Sequence, residues 1–233
     1  MTLAIMQPYI FPYIGYFQLM NAVDEFVVYD NIEFTKKGWI NRNRILANST
    51  DSFITIPLKK DSDYLTVKER YLADTWLVER KKILNKINES YKKAPCFNNV
   101  YPIVEQCLLF NDINLFRFIL NSIEVIKRYL SISTSLIISS SLNIDHNLKA
   151  EKKVVEICKI READTYINAI GGTALYNKDD FKQQGIKLCF LKTGNINYRQ
   201  FNNDFIPHLS IIDLMMFNSI DEIKLMLNNY ELV

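Results

Sequence analysis

The chain has 233 residues, of which 48% are apolar and 23% are charged, and its formal net charge is +2. This composition is typical of an ordinary soluble globular protein, and the length allows one large domain or two small ones. Proteins usually bind nucleic acid through a concentrated basic face. Here the net charge is small, and lysine and arginine are spread along the chain, so we expect no nucleic-acid binding.

The four cysteines form no CxxC motif and have no paired histidine spacing. Zinc sites need clustered thiolate or imidazole ligands, so we expect no metal and four free thiols in a reducing compartment. No lysine or arginine precedes the first apolar stretch, and no apolar run approaches the roughly 18 residues of a membrane-spanning helix. We therefore expect a cytoplasmic protein without a membrane span.

The first part of the chain predicts a strand, a helix and a second strand, followed by a loop and a third strand. The predicted elements are a strand over Leu3–Met6, a helix over Ile14–Val23, a strand over Glu25–Tyr29, a structured loop over Phe34–Arg44 and a strand over Ser52–Leu58. The second strand is continuous and β-branched, which is typical of an interior parallel strand.

The middle of the chain is predicted to be helical, and β/α alternation then returns. The predicted helices and strands are helices over Asp74–Lys93, Val100–Phe110 and Asp112–Leu130, a strand over Leu136–Ser139, a helix over Asn147–Lys159, a strand over Thr165–Asn168, a helix over Lys178–Gln183, a strand over Ile186–Leu191, and closing helices over Ser210–Phe217 and Asp221–Asn229. This order predicts one α/β domain over residues 1–233, with a helical block inserted near 74–130. The expected sheet is mainly parallel, with about five or six strands flanked by helices.

The segment Gln7–Phe17 is the strongest functional signal. It holds three tyrosines (Tyr9, Tyr13 and Tyr16), two prolines and a glycine within eleven residues, where the first strand passes into the first helix. A tyrosine offers a flat apolar face and a hydroxyl that donates or accepts a hydrogen bond. Because ligands of parallel α/β folds bind at the carboxyl ends of strands, this segment indicates a ligand site.

A second candidate site is the loop around Trp39. The indole lies beside Asn41, Arg42 and Arg44, so that a stacking face, an amide and two guanidinium groups are available for a base and a diphosphate. The alternative is a surface loop whose tryptophan covers a core edge and whose arginines are solvated.

The first βαβ unit resembles that of nucleotidylyltransferase-like and class I synthetase-like folds. Those proteins carry a His-x-Gly-His motif where this chain has Tyr13-Ile14-Gly15-Tyr16. Their histidines contact phosphate oxygens as charge develops, and tyrosine lacks that cationic option. The resemblance therefore supports the fold and argues against adenylyl transfer.

Several spaced segments resemble the WbqC-like protein family. They are Gln7–Phe17, Asp24, Asp30, Lys37–Arg44, Tyr166–Asn168, Gly171-Gly172, Leu175-Tyr176, Tyr198, Gln200 and Phe205–Leu214. The family is associated with surface-polysaccharide gene clusters, particularly those for amino sugars that carry amino-acid or acyl groups.

The resemblance implies N-acyl or aminoacyl transfer to a nucleotide-linked amino sugar in bacterial O-antigen or surface-glycan biosynthesis. Gln7, Tyr166 and Asn168 join the tyrosines and the Trp39 loop as implied substrate-binding residues. The acyl donor would be a carrier-protein or coenzyme A thioester, and the residues do not decide between them. A non-catalytic nucleotide-sugar binding or assembly protein is the alternative, and homo-oligomerisation stays open.

The candidates for proton transfer are His208, Asp213 and Asp30. Ser210 is the predicted N-cap of a helix in which Asp213 occupies the third position, so one interpretation is an acidic capping box. The functional interpretation places His208 and Asp213 at the site, with His208 as the base on an attacking amine. Asp30 is an alternative partner for the amine or an ordinary turn aspartate. His146, the second histidine, is expected at the start of the next helix.

Overall fold

A six-stranded sheet is the centre of the fold in the computed structural model, which describes residues 1–202 and 204–233. The elements are β1 (Thr2–Met6), α1 (Ile14–Asn21), β2 (Glu25–Val28), β3 (Arg42–Ala47), β4 (Thr50–Thr55), α2 (Trp76–Tyr91), α3 (Phe97–Leu108), α4 (Leu115–Tyr129), β5 (Ser135–Ile138), α5 (Ala150–Ile160), β6 (Thr165–Ala169), α6 (Lys178–Gln183), β7 (Lys187–Thr193), α7 (Ile211–Phe217), α8 (Ile220–Leu227) and β8 (Tyr230–Leu232). Short 3₁₀ helices follow β5 and β6 directly.

The spatial order of the sheet is β5-β2-β1-β6-β7-β8. All neighbouring pairs are parallel except β7 and β8, which are antiparallel. Numbered along the chain, the five parallel strands therefore have the order 3-2-1-4-5 of a doubly wound sheet. The chain leaves β1 towards β2 and β5 and then returns to β6 on the other side, which creates a topological switch point between β1 and β6.

Alternate side chains of the parallel strands enter two separate cores. Ala4 and Phe26 point into the larger core, which also contains α1, the three helices α2–α4, α7 and α8. Leu3 and Val27 point into the smaller core, which is covered by α5 and α6. This period of two is the ordinary consequence of a pleated strand. It decides on which side of the sheet each candidate residue lies.

The predicted α/β class, the mainly parallel sheet and the helices between residues 74 and 130 are confirmed. The predicted loop Phe34–Arg44 is wrong at its end, because Arg42 already begins β3, which pairs with β4 in a hairpin. Asn48 and Ser49 connect these strands with φ of 51° and 61°. Two left-handed residues are what a tight hairpin turn requires, so Asn48-Ser49 was the available signal. The sequence interpretation also missed β8, which has three residues.

Candidate functional site

A cavity of about 250 Å³ opens at the carboxyl edge of the sheet, between the start of α1 and the segment that follows β7. Polar and aromatic side chains form its wall, namely Tyr13, Asn195, Tyr198, Phe205 and His208, with Ile14 and Leu214 among its apolar residues. The first turn of α1 lies against the end of β7, since a Cβ on Gly15 would be 3.0 Å from Thr193 Oγ1. The cavity therefore lies where parallel α/β sheets bind ligands.

The opening segment is held in place by β3 and α7. Asn43 Nδ2 donates hydrogen bonds to the carbonyls of Ile10 and Phe11 at 3.1 and 2.7 Å, and Ser210 Oγ donates to the Phe11 carbonyl at 2.9 Å. Phe11 has a φ of 45°, a left-handed conformation that costs a bulky residue on the order of 1–3 kcal/mol. Two donors on one carbonyl hold this strained backbone, and with it the path of the chain into Tyr13.

His208 lies at the rim of the cavity. Its ring packs edge-on against Tyr13 with 5.2 Å between the centroids, and its backbone has a φ of 58°. Its carbonyl accepts a hydrogen bond from Arg44 Nη2 at 3.4 Å. No carboxylate within residues 1–202 and 204–233 hydrogen bonds to the imidazole, so Tyr13 and the backbone orient the ring.

Asp213 lies beneath the cavity wall and is fully buried. Its carboxylate accepts hydrogen bonds from the hydroxyls of Tyr91 and Tyr198 at 2.8 and 2.7 Å and from Gln200 Nε2 at 2.7 Å. Tyr198 thus presents its ring to the cavity while its hydroxyl binds Asp213. The carboxylate joins α2 to the segment after β7 and fixes the cavity wall.

The predicted capping box at the start of α7 is wrong in its second half. Ser210 is the N-cap, because its Oγ accepts from the Ile212 amide at 3.2 Å. The Asp213 carboxylate does not bond back to the cap residue, because Tyr91, Tyr198 and Gln200 occupy it. A short-range pattern could not distinguish a cap from a buried acceptor.

Burial raises the pKa of Asp213 above its ordinary value, although its three hydrogen bonds act in the opposite direction. At pH values between the ordinary and the raised pKa, the folded state binds more protons at Asp213 than the unfolded state does. The free energy of unfolding therefore falls as the pH rises through this range. Asp24 is the contrasting case, since hydrogen bonds from Thr2 lower its pKa. We expect a carbon-13 carboxyl titration by NMR to give a higher pKa for Asp213 than for Asp24. Tyr198→Phe should raise the pKa of Asp213 further, because it removes one hydrogen bond to the carboxylate. The reverse order of the two pKa values would contradict this interpretation.

Trp39 lies just before β3 and contacts Arg42 at the start of the β3–β4 hairpin, with 6.0 Å between the guanidinium carbon and the ring centroid. The Trp39 ring is 42% exposed and stacks on Phe53 at 6.0 Å. The Arg42 guanidinium carbon lies 5.1 Å from the Phe53 ring centroid, and Arg42 Nε donates to the Gly38 carbonyl at 2.9 Å. The hairpin thus offers an exposed aromatic face beside a guanidinium that is partly engaged by the backbone.

Arg44 connects this hairpin to the cavity rim. Its Nη1 pairs with Asp51 at 3.1 Å, while its Nη2 binds the His208 carbonyl. Asn41 Nδ2 donates to the Ile56 carbonyl at 2.8 Å and so closes the base of the hairpin. The exposed Trp39 surface therefore lies beside the cavity rather than apart from it.

The three tyrosines of the opening segment have different environments. Tyr13 lines the cavity, whereas Tyr16 is buried against Tyr9 and Phe26 at 5.3 and 5.0 Å. Burial raises the pKa of Tyr9 and Tyr16. Gln7, half-buried, follows β1 directly at the switch point. Of the predicted tyrosine set, the structure brings only Tyr13 to His208.

Tyr166 and Asn168 lie on the other face of the sheet. Tyr166 stacks on Phe181 at 5.6 Å in the smaller core. Asn168 is buried at the end of β6, where its Oδ1 accepts from the Ala169 amide at 2.9 Å. Neither side chain lines the cavity.

Asp30 is also separate from the cavity. It follows β2, is 1% exposed and accepts a hydrogen bond from the Ser140 amide at 2.9 Å. The structure therefore does not bring Asp30 and His208 to one pocket as alternative bases.

Two neighbouring glycines after β6 give a test of the packing at this edge. A Cβ on Gly172 would lie 2.1 Å from Asn168 Nδ2, whereas a Cβ on Gly171 would meet nothing within 4 Å. We expect Gly172→Ala to lower the free energy of unfolding by about 1–2 kcal/mol, because Asn168 must move and lose its bond to Ala169. The matched Gly171→Ala should change it by less than about 0.5 kcal/mol. Urea denaturation of both variants measures the difference, and equal effects would refute it.

The sequence interpretation assigned no role to several residues of the site. Tyr198, Phe205 and Gln200 belonged to family-like segments without a role, and Asn195 and Tyr91 carried no signal. Tyr91 lies 122 positions from Asp213 along the chain, so only the fold shows their contact.

Within the part of the chain that the structure describes, no helix is both long and apolar enough to cross a membrane. Nor do three or more His, Cys, Asp or Glu side chains of these residues gather where they could hold a metal ion.

Comparison with known proteins gives a family and a relative. The WbqC-like protein family matches residues 7–225. The chain is 29% identical over 219 residues to "Uncharacterized protein Rv1507c" of Mycobacterium tuberculosis (strain ATCC 25618 / H37Rv), which covers 91% of each chain. No solved structure matches the chain.

Proposed function

Because the chain belongs to the WbqC-like protein family, we propose that it transfers an acyl or aminoacyl group to the amine of an amino sugar carried on a nucleotide. The observation that carries the proposal is the cavity of about 250 Å³ with His208 at its rim. This volume is below the roughly 300–1,000 Å³ of pockets that hold drug-sized ligands, so it suits one sugar ring rather than a whole nucleotide sugar.

In this proposal the sugar ring packs against the aromatic wall of Tyr13, Tyr198 and Phe205. The nucleotide lies outside the cavity, where the exposed face of Trp39 can stack on a base and Arg42 and Arg44 can approach the diphosphate. The bond from Arg44 to the His208 carbonyl makes the two regions neighbours.

The chemical step joins the sugar amine to the carbonyl carbon of a thioester. The amine attacks, the C–N bond forms, and the tetrahedral oxyanion collapses with cleavage of the C–S bond. His208 accepts the proton that the amine loses and returns it to the departing thiolate. A strong base is not required, since the amine needs only to be neutral and positioned. Asp213 acts beneath the wall as a positioning residue through Tyr198.

The donor would be a coenzyme A or carrier-protein thioester, which places the reaction in the cytoplasm. Incubation with a nucleotide-linked 4-amino sugar and each thioester, followed by mass spectrometry of the sugar nucleotide, tests the proposal. We expect the mass of one acyl group to be added with one donor class.

A non-catalytic nucleotide-sugar binding protein is the second candidate. The observation that favours it is that no carboxylate of the described residues orients the His208 imidazole, unlike many catalytic histidines. Binding of the sugar nucleotide without acylation by either donor would select this function.

A further inference from the structure

A second group of polar side chains lies at the carboxyl ends of β2 and β5, with Lys153 at its centre. Lys153 is in the first turn of α5 and only 4% exposed. Its ammonium donates to the His146 carbonyl at 3.2 Å and lies 4.9 Å from the centroid of the Tyr29 ring. An ammonium has three protons to donate, and the first turn of a helix is the unfavourable end for a cation. This position is therefore costly for a lysine that only fills space.

Two further polar groups at this edge of the sheet are buried without a hydrogen-bond partner among the described residues. They are Ser139 Oγ and Asn31 Oδ1, and Ser139 is fully buried directly after β5. Buried polar atoms are nearly always paired in folded proteins, so two such atoms in one cluster need an explanation.

Hydrogen bonds link Asn31, His146 and Lys153. Asn31 Nδ2 lies 3.0 Å from His146 Nδ1, and His146 Nε2 lies 3.1 Å from the Leu142 carbonyl. These two contacts fit an imidazole that accepts at Nδ1 and donates at Nε2. On the other side, Asp30 Oδ1 binds the amide of Ser140, the neighbour of Ser139.

The charges around Lys153 have both signs. Asp30 and Asp145 attract its ammonium and Lys68 repels it, while burial lowers its pKa more than these attractions raise it. His146, whose carbonyl accepts from Lys153, is exposed to solvent. A cation, a hydroxyl, an amide oxygen and a carboxylate are therefore collected at the sheet edge where α/β proteins bind ligands.

We propose that this cluster binds a small ligand that carries an anionic oxygen next to an N–H or O–H donor. Lys153 and Ser139 donate to the oxyanion, and Asn31 Oδ1 and Asp30 accept from the neighbouring donor. A sugar phosphate and an α-amino acid both have this chemistry. None of these residues lines the cavity at Tyr13 and His208, so the site is independent of the proposed function.

The test compares Lys153→Met with Lys152→Met, which changes the exposed neighbour on the same helix. Calorimetry measures binding of glucose 1-phosphate and of glycine, with acetate as a carboxylate that lacks the donor. We expect one of the first two to bind the wild type and Lys152→Met equally, and Lys153→Met at least about tenfold more weakly. The unfolding temperature of both variants checks that they are folded, because Lys153→Met also removes a favourable charge from the buried Asp30.

Ser139→Ala is the second variant, and it should weaken binding by about threefold to tenfold while leaving the fold intact. The proposal is overturned if neither glucose 1-phosphate nor glycine binds the wild type, or if Lys153→Met binds as tightly as Lys152→Met. If acetate binds as tightly as glycine, Asn31 and Asp30 do not accept a hydrogen bond from the ligand. Preference for glucose 1-phosphate or for glycine identifies the natural source of the oxyanion.

Discussion

Asp213→Asn should lower the free energy of unfolding by about 2–4 kcal/mol. Oδ1 of the carboxylate accepts from Tyr91, and Oδ2 accepts from both Tyr198 and Gln200. An asparagine keeps one oxygen and turns the other into an NH₂ group that faces donors. At least one buried donor then loses its acceptor, and leaving a buried polar group unpaired costs more than a typical hydrogen bond contributes. Urea denaturation at neutral pH measures the change.

Two matched variants show whether the loss of stability in Asp213→Asn comes from its buried hydrogen bonds or from the loss of a negative charge alone. Tyr198→Phe removes one donor and leaves the carboxylate, so we expect about 1–2 kcal/mol. Asp221→Asn changes an exposed carboxylate in the first turn of α8 and should stay within about 0.5 kcal/mol. An Asp213→Asn protein as stable as Asp221→Asn would show that the buried carboxylate does not hold the cavity wall.

His208→Asn should lower the rate of acyl transfer by about a hundredfold under the proposed function, because general base catalysis typically contributes 10²–10⁴-fold. We expect the lower end of this range, because the neutral amine is already nucleophilic. Asparagine tolerates the φ of 58° at this position, so the backbone at the rim should be kept. Steady-state kinetics with the acylated product as readout measure the effect, and we expect it in kcat rather than KM.

Imidazole added to His208→Gly is the control for this prediction. Glycine also adopts the left-handed conformation, so the variant should fold, and free imidazole should restore part of the rate if the ring transfers a proton. A His208→Asn protein with the wild-type rate would exclude His208 from the mechanism and leave it as a residue of the rim.

The sheet could be predicted because its strands are marked by local pattern. β2 is a continuous β-branched run, and β6 and β7 are apolar segments between helical ones, so each is recognisable without its partners. β8 could not be recognised in this way, because Tyr230–Leu232 is short and partly exposed and forms a strand only against β7. The hairpin was hidden by the polar start of β3 at Arg42, where binding-site residue types also favour a loop interpretation.

The site could be predicted only in part, because it is assembled from distant segments. Tyr13 and His208 were each selected from local sequence, and the fold brings their rings together. The separation of Asp30 from His208 depends on strand order, which local pattern does not determine. The role of Asp213 depends on Tyr91 from another helix, and its local context resembles a helix cap.

The most direct test of the proposed function is calorimetry with a nucleotide-linked 4-amino sugar. It compares binding to the wild type and to Tyr13→Ala, with ATP as the competing ligand. We predict that the sugar nucleotide binds the wild type, that Tyr13→Ala weakens it at least about tenfold, and that ATP binds at least about tenfold more weakly, because ATP has no amino sugar to fill the cavity. Binding of ATP without binding of the sugar nucleotide would contradict the account.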